Sequence, residues 1–380
     1  NEIDHCRFEG NRGQSQWMGS WVHDSSTHNR IHHCTFARFG WVSAGDDKGV
    51  LLDIGYDVST TDASDGNVIE DCVFYGGGHH LLQVCGRHNV VRGCYLHNED
   101  WMPCEREGGQ CGNRGAMTLG PMAGQNLFEG NRFAYAGTPP DDNGADGLVL
   151  RSPRNIVRRN LCYGNGAAGI ALASMKESRP VGNYVYANTL FRNGYDAEVD
   201  SFWRGGISFG NWGNGPMPDN VVANNILHGN WQGAAVTGYG EAGPQQIGQN
   251  WMEEGPPGFV EEDLPVDPAD ASRPDLSLAA TSPCIDRGAF LTRVTSAAGA
   301  GTAFTVADAG FFYDGWGIPG EAGDLIQLEG QAATARIARV DYETRTIALE
   351  SPLEWRPGQG LSLRYAGSAP DLGAVEREGR

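Results

Sequence analysis

One eight-residue pattern recurs eight times in the first 230 residues of this chain: Asn, any residue, an apolar residue, any two residues, Cys or Asn, any residue, an apolar residue. It reads NEIDHCRF at 1–8, NRIHHCTF at 29–36, NVIEDCVF at 67–74 and NVVRGCYL at 89–96. It continues as NLFEGNRF at 126–133, NIVRRNLC at 155–162, NYVYANTL at 183–190 and NVVANNIL at 220–227. The starts lie 22 to 38 residues apart. The pattern is too short and too β-branched for a helix. Each copy is expected to form two short strands that meet at the Cys/Asn position. A unit of about 22 residues cannot bury a core alone, so only a stack of such units can fold.

A third strand follows in most units, with glycine or leucine leading alternating apolar residues. Examples are GVLLDI (49–54), LLQVC (81–85), GAMTLG (115–120), GLVLRS (147–152), GIALAS (169–174), GISFGN (206–211) and GAAVTG (233–238). Three strands per coil describe an all-β fold, a right-handed parallel β-helix. The 55 glycines and the many asparagines suit its tight bends. Asn131, Asn160, Asn188 and Asn225 are expected at the bend itself, taking up a left-handed backbone and bonding amide to amide up the column. Cys6, Cys34, Cys72 and Cys94 continue that column as small buried hydrophobes.

On these residues the chain resembles the pectate-lyase-like right-handed β-helix superfamily over roughly residues 1–240. That superfamily contains polysaccharide lyases, glycoside hydrolases, uronate epimerases, phage tailspikes and non-catalytic members, so the resemblance is specific for fold and not for chemistry. The expected domain organisation is a β-helix and its cap over 1–290, a small antiparallel β-module over 291–366, and a closing segment over 367–380 that returns to the cap. SPCIDRGA (282–289) and DLGAVE (371–376) resemble the closing edge of secreted β-helices. Hairpin strands such as ARIARVDYETRTIALE (335–350) lie between them. The module is expected either to cover the last coil, whose bare edge invites aggregation, or to bind sugar.

The resemblance places a substrate groove on the third strand and the loops entering it. Those loops are long and rich in acid and tryptophan, whereas the Cys/Asn bend carries no insertion. If Val50, Leu52 and Ile54 face inward, strict alternation turns Leu51 and Asp53 outward, and likewise Gln83, Thr118, Val149 and Arg151. Three chemistries fit. In a lyase, a base removes the C5 proton of a uronate whose carboxylate is neutralised by Ca²⁺ or arginine. The resemblance implies a Lys or Arg base, which here means Lys48 or Arg151, with Asp46, Asp47, Asp141 and Asp142 as calcium ligands beside Asp146. In a hydrolase, two carboxylates flank the glycosidic oxygen, drawn from Asp53, Asp142, Asp146, Asp196 and Asp200. A purely binding groove would use Trp41, Trp101 and Trp203 as stacking platforms, with Gln83 and Arg204.

The stretch GGGHHLLQVCGRHNVVRGC (76–94) holds three histidines and two cysteines. The repeat disperses them: Cys94 belongs to the bend, Cys85 ends a third strand, and His88 lies in the next turn. Only His79–His80 remains, and His80 is the residue expected to face the groove. The CxxC and HExxH signatures are absent, which argues against a dedicated zinc site. Cys104 and Cys111 bracket a loop that a disulfide would staple in an oxidising compartment.

A formal net charge of −19 argues against nucleic acid as a partner. No apolar run reaches the length of a membrane span. The expected partner is an extracellular polysaccharide or oligosaccharide, met by a secreted or periplasmic protein whose leader is not visible in this sequence. Local arginine density from Arg92 to Arg204 leans toward an anionic or densely hydroxylated glycan. Nothing in the sequence speaks to oligomeric state.

Overall fold

The computed structural model describes residues 1–10, 18–38, 50–55, 61, 64–77, 80–98, 114–120, 122–137, 145–175, 178–195, 204–211, 215–233, 236–238, 242–264 and 273–378. Three parallel sheets of nine, nine and eight strands climb together, each coil adding one strand to each sheet. The repeat pattern supplies the first two sheets. Within NIVRRNLC, for example, Ile156–Arg158 joins the first sheet and Leu161–Tyr163 the second. The Gly-apolar segments supply the third, as in Val50–Ile54, His80–Val84 and Arg114–Thr118. Core side chains come from all three, among them Ile31, Phe74, Leu82, Phe128, Leu150 and Phe209. Among the described residues no helix is long and apolar enough to cross a membrane.

The bend column behaves as a ladder. Asn131 donates from both its backbone N–H (2.9 Å) and its Nδ2 (3.0 Å) to Asn160 Oδ1, and Asn160 repeats this toward Asn188. The chain of amides runs on to Asn225 and Asn250. In the cysteine half, the N–H of Cys6 and of Cys34 each donate to the sulfur one coil up, at 3.4 Å. The left-handed backbone, however, belongs to the residue before the ladder. His5, His33, Asp71, Gly93, Gly130, Arg159, Ala187 and Asn224 carry φ of 50–66°. The ladder residue itself is thereby free to aim its side chain along the stack.

Two further ladders were not anticipated. The asparagine that opens each repeat forms one, from Asn1 through Asn29, Asn67, Asn89, Asn126, Asn155, Asn183 and Asn220 to Gln245. Asn165, Asn193 and Asn230 form another, ending on Glu253.

The C-terminal third covers the outer faces of the first and second sheets. A six-stranded antiparallel sheet between Thr292 and Leu363 lays Phe304, Phe311, Phe312 and Ile318 against Val68, Val90, Leu127, Ile156 and Val221 on the outer face of the first sheet. It runs along the side of the stack, not across its last coil as expected of a cap. Charge pins it there. Arg158, about 1% exposed, places its guanidinium on Asp324 at 2.7 and 2.5 Å and its Nε on Glu129 at 2.9 Å. Phe259, Leu276, Leu278 and Leu372 cover the second sheet in the same way. Arg158→Met strands two carboxylates against the docked sheet and is expected to cost about 3–5 kcal/mol. The check is the denaturant midpoint; a loss below about 1 kcal/mol would mean that apolar contact alone holds the sheet.

Candidate functional site

The third sheet departs from strict alternation at one place in each coil from Val50–Ile54 to Ala168–Ser174. Leu51 and Leu52 both lie in the core, as do Leu81 and Leu82. In the next coils the same place is glycine. A Cβ on Gly115 would fall 2.3 Å from the Gly147 carbonyl oxygen, and one on Gly147 2.7 Å from that of Gly169. Successive N–H groups of Gly115 and Ala116 donate to successive carbonyls of Asp146 and Gly147, both at 3.0 Å. The strand therefore turns over by one residue, and the outer face carries two columns. The first holds His80, Arg114 and Asp146. The second holds Asp53, Gln83, Met117 and Val149. Leu51 is thus a core residue, and Thr118 shares the register of core residues Val84 and Leu150 while Met117 takes the outer place.

Of the expected groove residues, Asp53, His80, Gln83, Asp146, Arg151 and Arg204 are described. Lys48, Trp41, Trp101, Trp203, Asp46, Asp47, Asp141 and Asp142, with His79, Asp196, Asp200, Cys104 and Cys111, lie outside the described residues. Asp53 is fully buried and faces Gln83 Nε2 at 3.5 Å and His23 Nε2 at 3.8 Å. Asp146 accepts the Ala168 N–H at 3.1 Å and stands 3.9 Å from Arg114 Nε. Arg151 is held at its backbone, where its N–H donates to Thr118 Oγ1 at 3.0 Å. Burial, and then the neighbouring Arg114 charge, draw the Arg151 guanidinium down to about 9, with Asp146 opposing. Arg204 stands apart, its guanidinium 4.4 Å over the Trp231 ring.

Two members were missed from sequence. Arg114 was legible only as one of many arginines, because the turn-over that brings it beside His80 hides in a glycine column. His23 lies at the end of a third-sheet strand whose pattern, MGSWV, lacks the leading glycine or leucine. The histidine-cysteine stretch disperses as expected: Cys94 donates its N–H to Asn131, His88 packs its ring 5.1 Å from Trp316, and Cys85 lies 4.0 Å from Asp53.

The two described carboxylates of the outer face are not a close pair. Asp53 and Asp146 sit three strands apart, about 14 Å at the usual strand spacing, and in different columns. What the face does offer is a cation-rich end, with Arg114 and Arg151 around Asp146, and an acidic end at Asp53.

A cleft of about 520 Å³ lies elsewhere, between a corner of the stack and the antiparallel sheet, lined by Arg132, Arg159, Arg364, Glu376 and Glu378 among others. Its charges are largely spoken for, with Arg364 3.2 Å from Glu378 and Glu376 accepting the N–H groups of Ala366 and Asp371. Burial pushes Glu376 up to about 7. A folded-state value above the unfolded one means that the native chain holds the extra proton. Its contribution to stability is therefore full below about pH 4.5 and is lost as pH rises to about 7, of order 2 kcal/mol. Unfolding measured from pH 4.5 to 7.5 should show this decline, and Glu376→Gln should flatten it.

Three parallel sheets that advance one coil at a time, with a ladder at each bend, make this a right-handed parallel β-helix. The chain belongs to the family described as the right handed beta helix region, which matches residues 51–245. A search of curated proteins found no match. Among solved structures it is similar to pectate lyase Pel9A, at 14% identity and TM-score 0.44, covering 99% of this chain and 70% of that one. It is also similar to an alginate lyase from Paenibacillus sp. str. FPU-7, at 12% identity and TM-score 0.39, covering 66% and 72%. A third is the tailspike protein of E. coli bacteriophage HK620, in complex with pentasaccharide, at 11% identity and TM-score 0.27, covering 95% and 73%. At these identities the likeness concerns the fold.

Proposed function

We propose that the chain is a secreted carbohydrate-active enzyme that cleaves a uronate-containing polysaccharide by β-elimination on the outer face of its third sheet. The observation that carries this reading is the buried trio Arg114, Asp146 and Arg151 on the third sheet, whose outer-face cluster includes, among the described residues, none from the C-terminal third. On this reading Arg151 takes the C5 proton. The electron pair of that bond forms the C4–C5 double bond, the C4–O bond breaks, and the leaving oxygen takes a proton from water. Arg114 faces the uronate carboxylate, whose neutralisation acidifies C5–H. Asp146 orients Arg114. Asp46, Asp47, Asp141 and Asp142 are the oxygen donors for Ca²⁺, which when bound would supply further charge to that carboxylate. Trp41, Trp101 and Trp203 are the stacking platforms for neighbouring sugar rings, and Lys48 is the alternative base. The described trio is only 4–7% exposed, which sets the condition that the glycan must reach it.

The test incubates the chain with a panel of uronate and neutral glycans, with and without Ca²⁺, and follows ultraviolet absorbance of unsaturated product together with new reducing ends. Unsaturated ends on a uronate glycan are the expected result. Reducing ends alone would replace the lyase by a hydrolase, and binding without either would make the face a glycan receptor.

A further inference from the structure

The first two coils carry a cluster that the proposed groove does not use. Asp4 and His32 are Cα partners in the first sheet, and each is followed by a left-handed corner residue, His5 and His33. Three histidine nitrogens gather there around one Asp4 oxygen. Asp4 Oδ1 is 2.5 Å from His5 Nδ1, 3.0 Å from His32 Nδ1 and 3.9 Å from His33 Nδ1. The two Nδ1 atoms of His32 and His33 are themselves 2.9 Å apart. Among the described residues, Asp4, His5 and His33 are the one group of three or more such side chains with ligand atoms close enough to share an ion. We propose that Asp4, His5 and His33 bind a borderline transition-metal dication such as Zn²⁺, which clasps the first coil to the second.

The geometry suits that ion. Bonds of about 2.0–2.1 Å in a tetrahedron put neighbouring donor atoms about 3.3 Å apart, between the 2.5 Å that separates Asp4 Oδ1 from His5 Nδ1 and the 3.9 Å that separates it from His33 Nδ1. Imidazole nitrogens select zinc, nickel or copper over calcium, which prefers oxygen. A second observation points the same way. The far nitrogen of His33, Nε2, lies 3.9 Å from Asp71 Oδ2, and His32, itself 2.9 Å from Glu2 Oε1, sets its Nδ1 2.9 Å from that of His33. A carboxylate behind a ligating histidine fixes its tautomer and raises its basicity, which is the usual support of a metal-bound imidazole. The His5 and His33 rings are stacked at 4.9 Å and within 6° of parallel, so they must tilt open to aim both Nδ1 atoms at one centre. The set is invisible to short-motif reading because its halves lie 28 residues apart and are joined only by the coil register.

The experiment uses the full chain without an affinity tag, titrated calorimetrically with Zn²⁺ and separately with Ca²⁺, and followed by thermal unfolding. One equivalent of Zn²⁺ is expected, with a rise in the unfolding midpoint and no comparable response to Ca²⁺. His5→Asn/His33→Asn removes two ligands, while asparagine still accepts the left-handed backbone. It should bind Zn²⁺ at least tenfold more weakly and lose the rise in midpoint. Should the double variant not fold, either single exchange is read the same way. No Zn²⁺ bound by the unaltered chain, equal binding by the variant, or an equal response to Ca²⁺ overturns the proposal. None of these results touches glycan turnover, so this proposal and the lyase reading stand or fall separately.

Discussion

Exchange of Arg151 for methionine is expected to lower turnover of the cleaved glycan by about 10²–10⁴-fold, the range that a positioned proton-transfer group supplies. Affinity for the same glycan should change far less, because the lost interaction belongs to the transition state. Methionine keeps the apolar stem, and the backbone N–H of residue 151 keeps its bond to Thr118, so the fold is preserved. Arg151→Lys is the sharper probe. An ammonium gives up its proton more readily than a guanidinium. If the group at 151 is the base, lysine retains measurable activity and the profile of kcat/KM against pH moves to lower pH. A side chain that merely held the carboxylate would leave the profile in place. Turnover within tenfold of the unaltered chain in Arg151→Met would remove this residue from the mechanism and pass the role to Lys48.

A stability effect as large as that of Arg158→Met is expected at Asn160. Its Oδ1 accepts two bonds from Asn131, and its Nδ2 donates to Phe128 O at 2.9 Å and Asn188 Oδ1 at 3.0 Å. Alanine strands several buried polar groups at about 1–3 kcal/mol each. A total of about 3–5 kcal/mol is a large part of the roughly 5–15 kcal/mol that holds a domain folded. Asn160→Cys should lose less, because a sulfur at this place already accepts the N–H of the coil below in Cys34 and Cys72. Chemical denaturation of the three chains measures the order. A loss under about 1 kcal/mol in Asn160→Ala would show that the strand bonds alone carry the stack.

The fold was legible because its signal is periodic and local. The Asn/Cys bend, the two strands around it and the third strand each leave a fixed spacing, and the register follows the spacing coil by coil. The outer face of the third sheet was legible only in part. Alternation correctly turns Asp53, Gln83 and Val149 outward, but it fails at Leu51 and Leu81, where two consecutive leucines enter the core. A one-residue turn-over has no composition signal beyond the glycines that replace those leucines in later coils. Arg114 was therefore hidden although its number stood in plain view. The placement of the antiparallel sheet was hidden for another reason. Its hairpins are readable, but the partners Glu321 to Arg30 and Asp324 to Arg158 join residues 291 and 166 positions apart. No local pattern encodes such a pairing.

That docked sheet has a consequence for how the protein can vary. A solenoid usually tolerates the gain or loss of a repeat, since each repeat touches only its neighbours. Here Glu321 spans Arg30 of the second coil and Arg92 of the fourth, Asp324 meets Arg158 of the sixth, and Tyr184 of the seventh donates to Asp308 at 3.0 Å. The sheet thus works as a ruler laid along the stack, with marks about 4.8 Å apart. Duplicating the coil at 89–125 would slide every later mark out of reach. Between the second and the seventh coil, the count is set by an element that belongs to none of them.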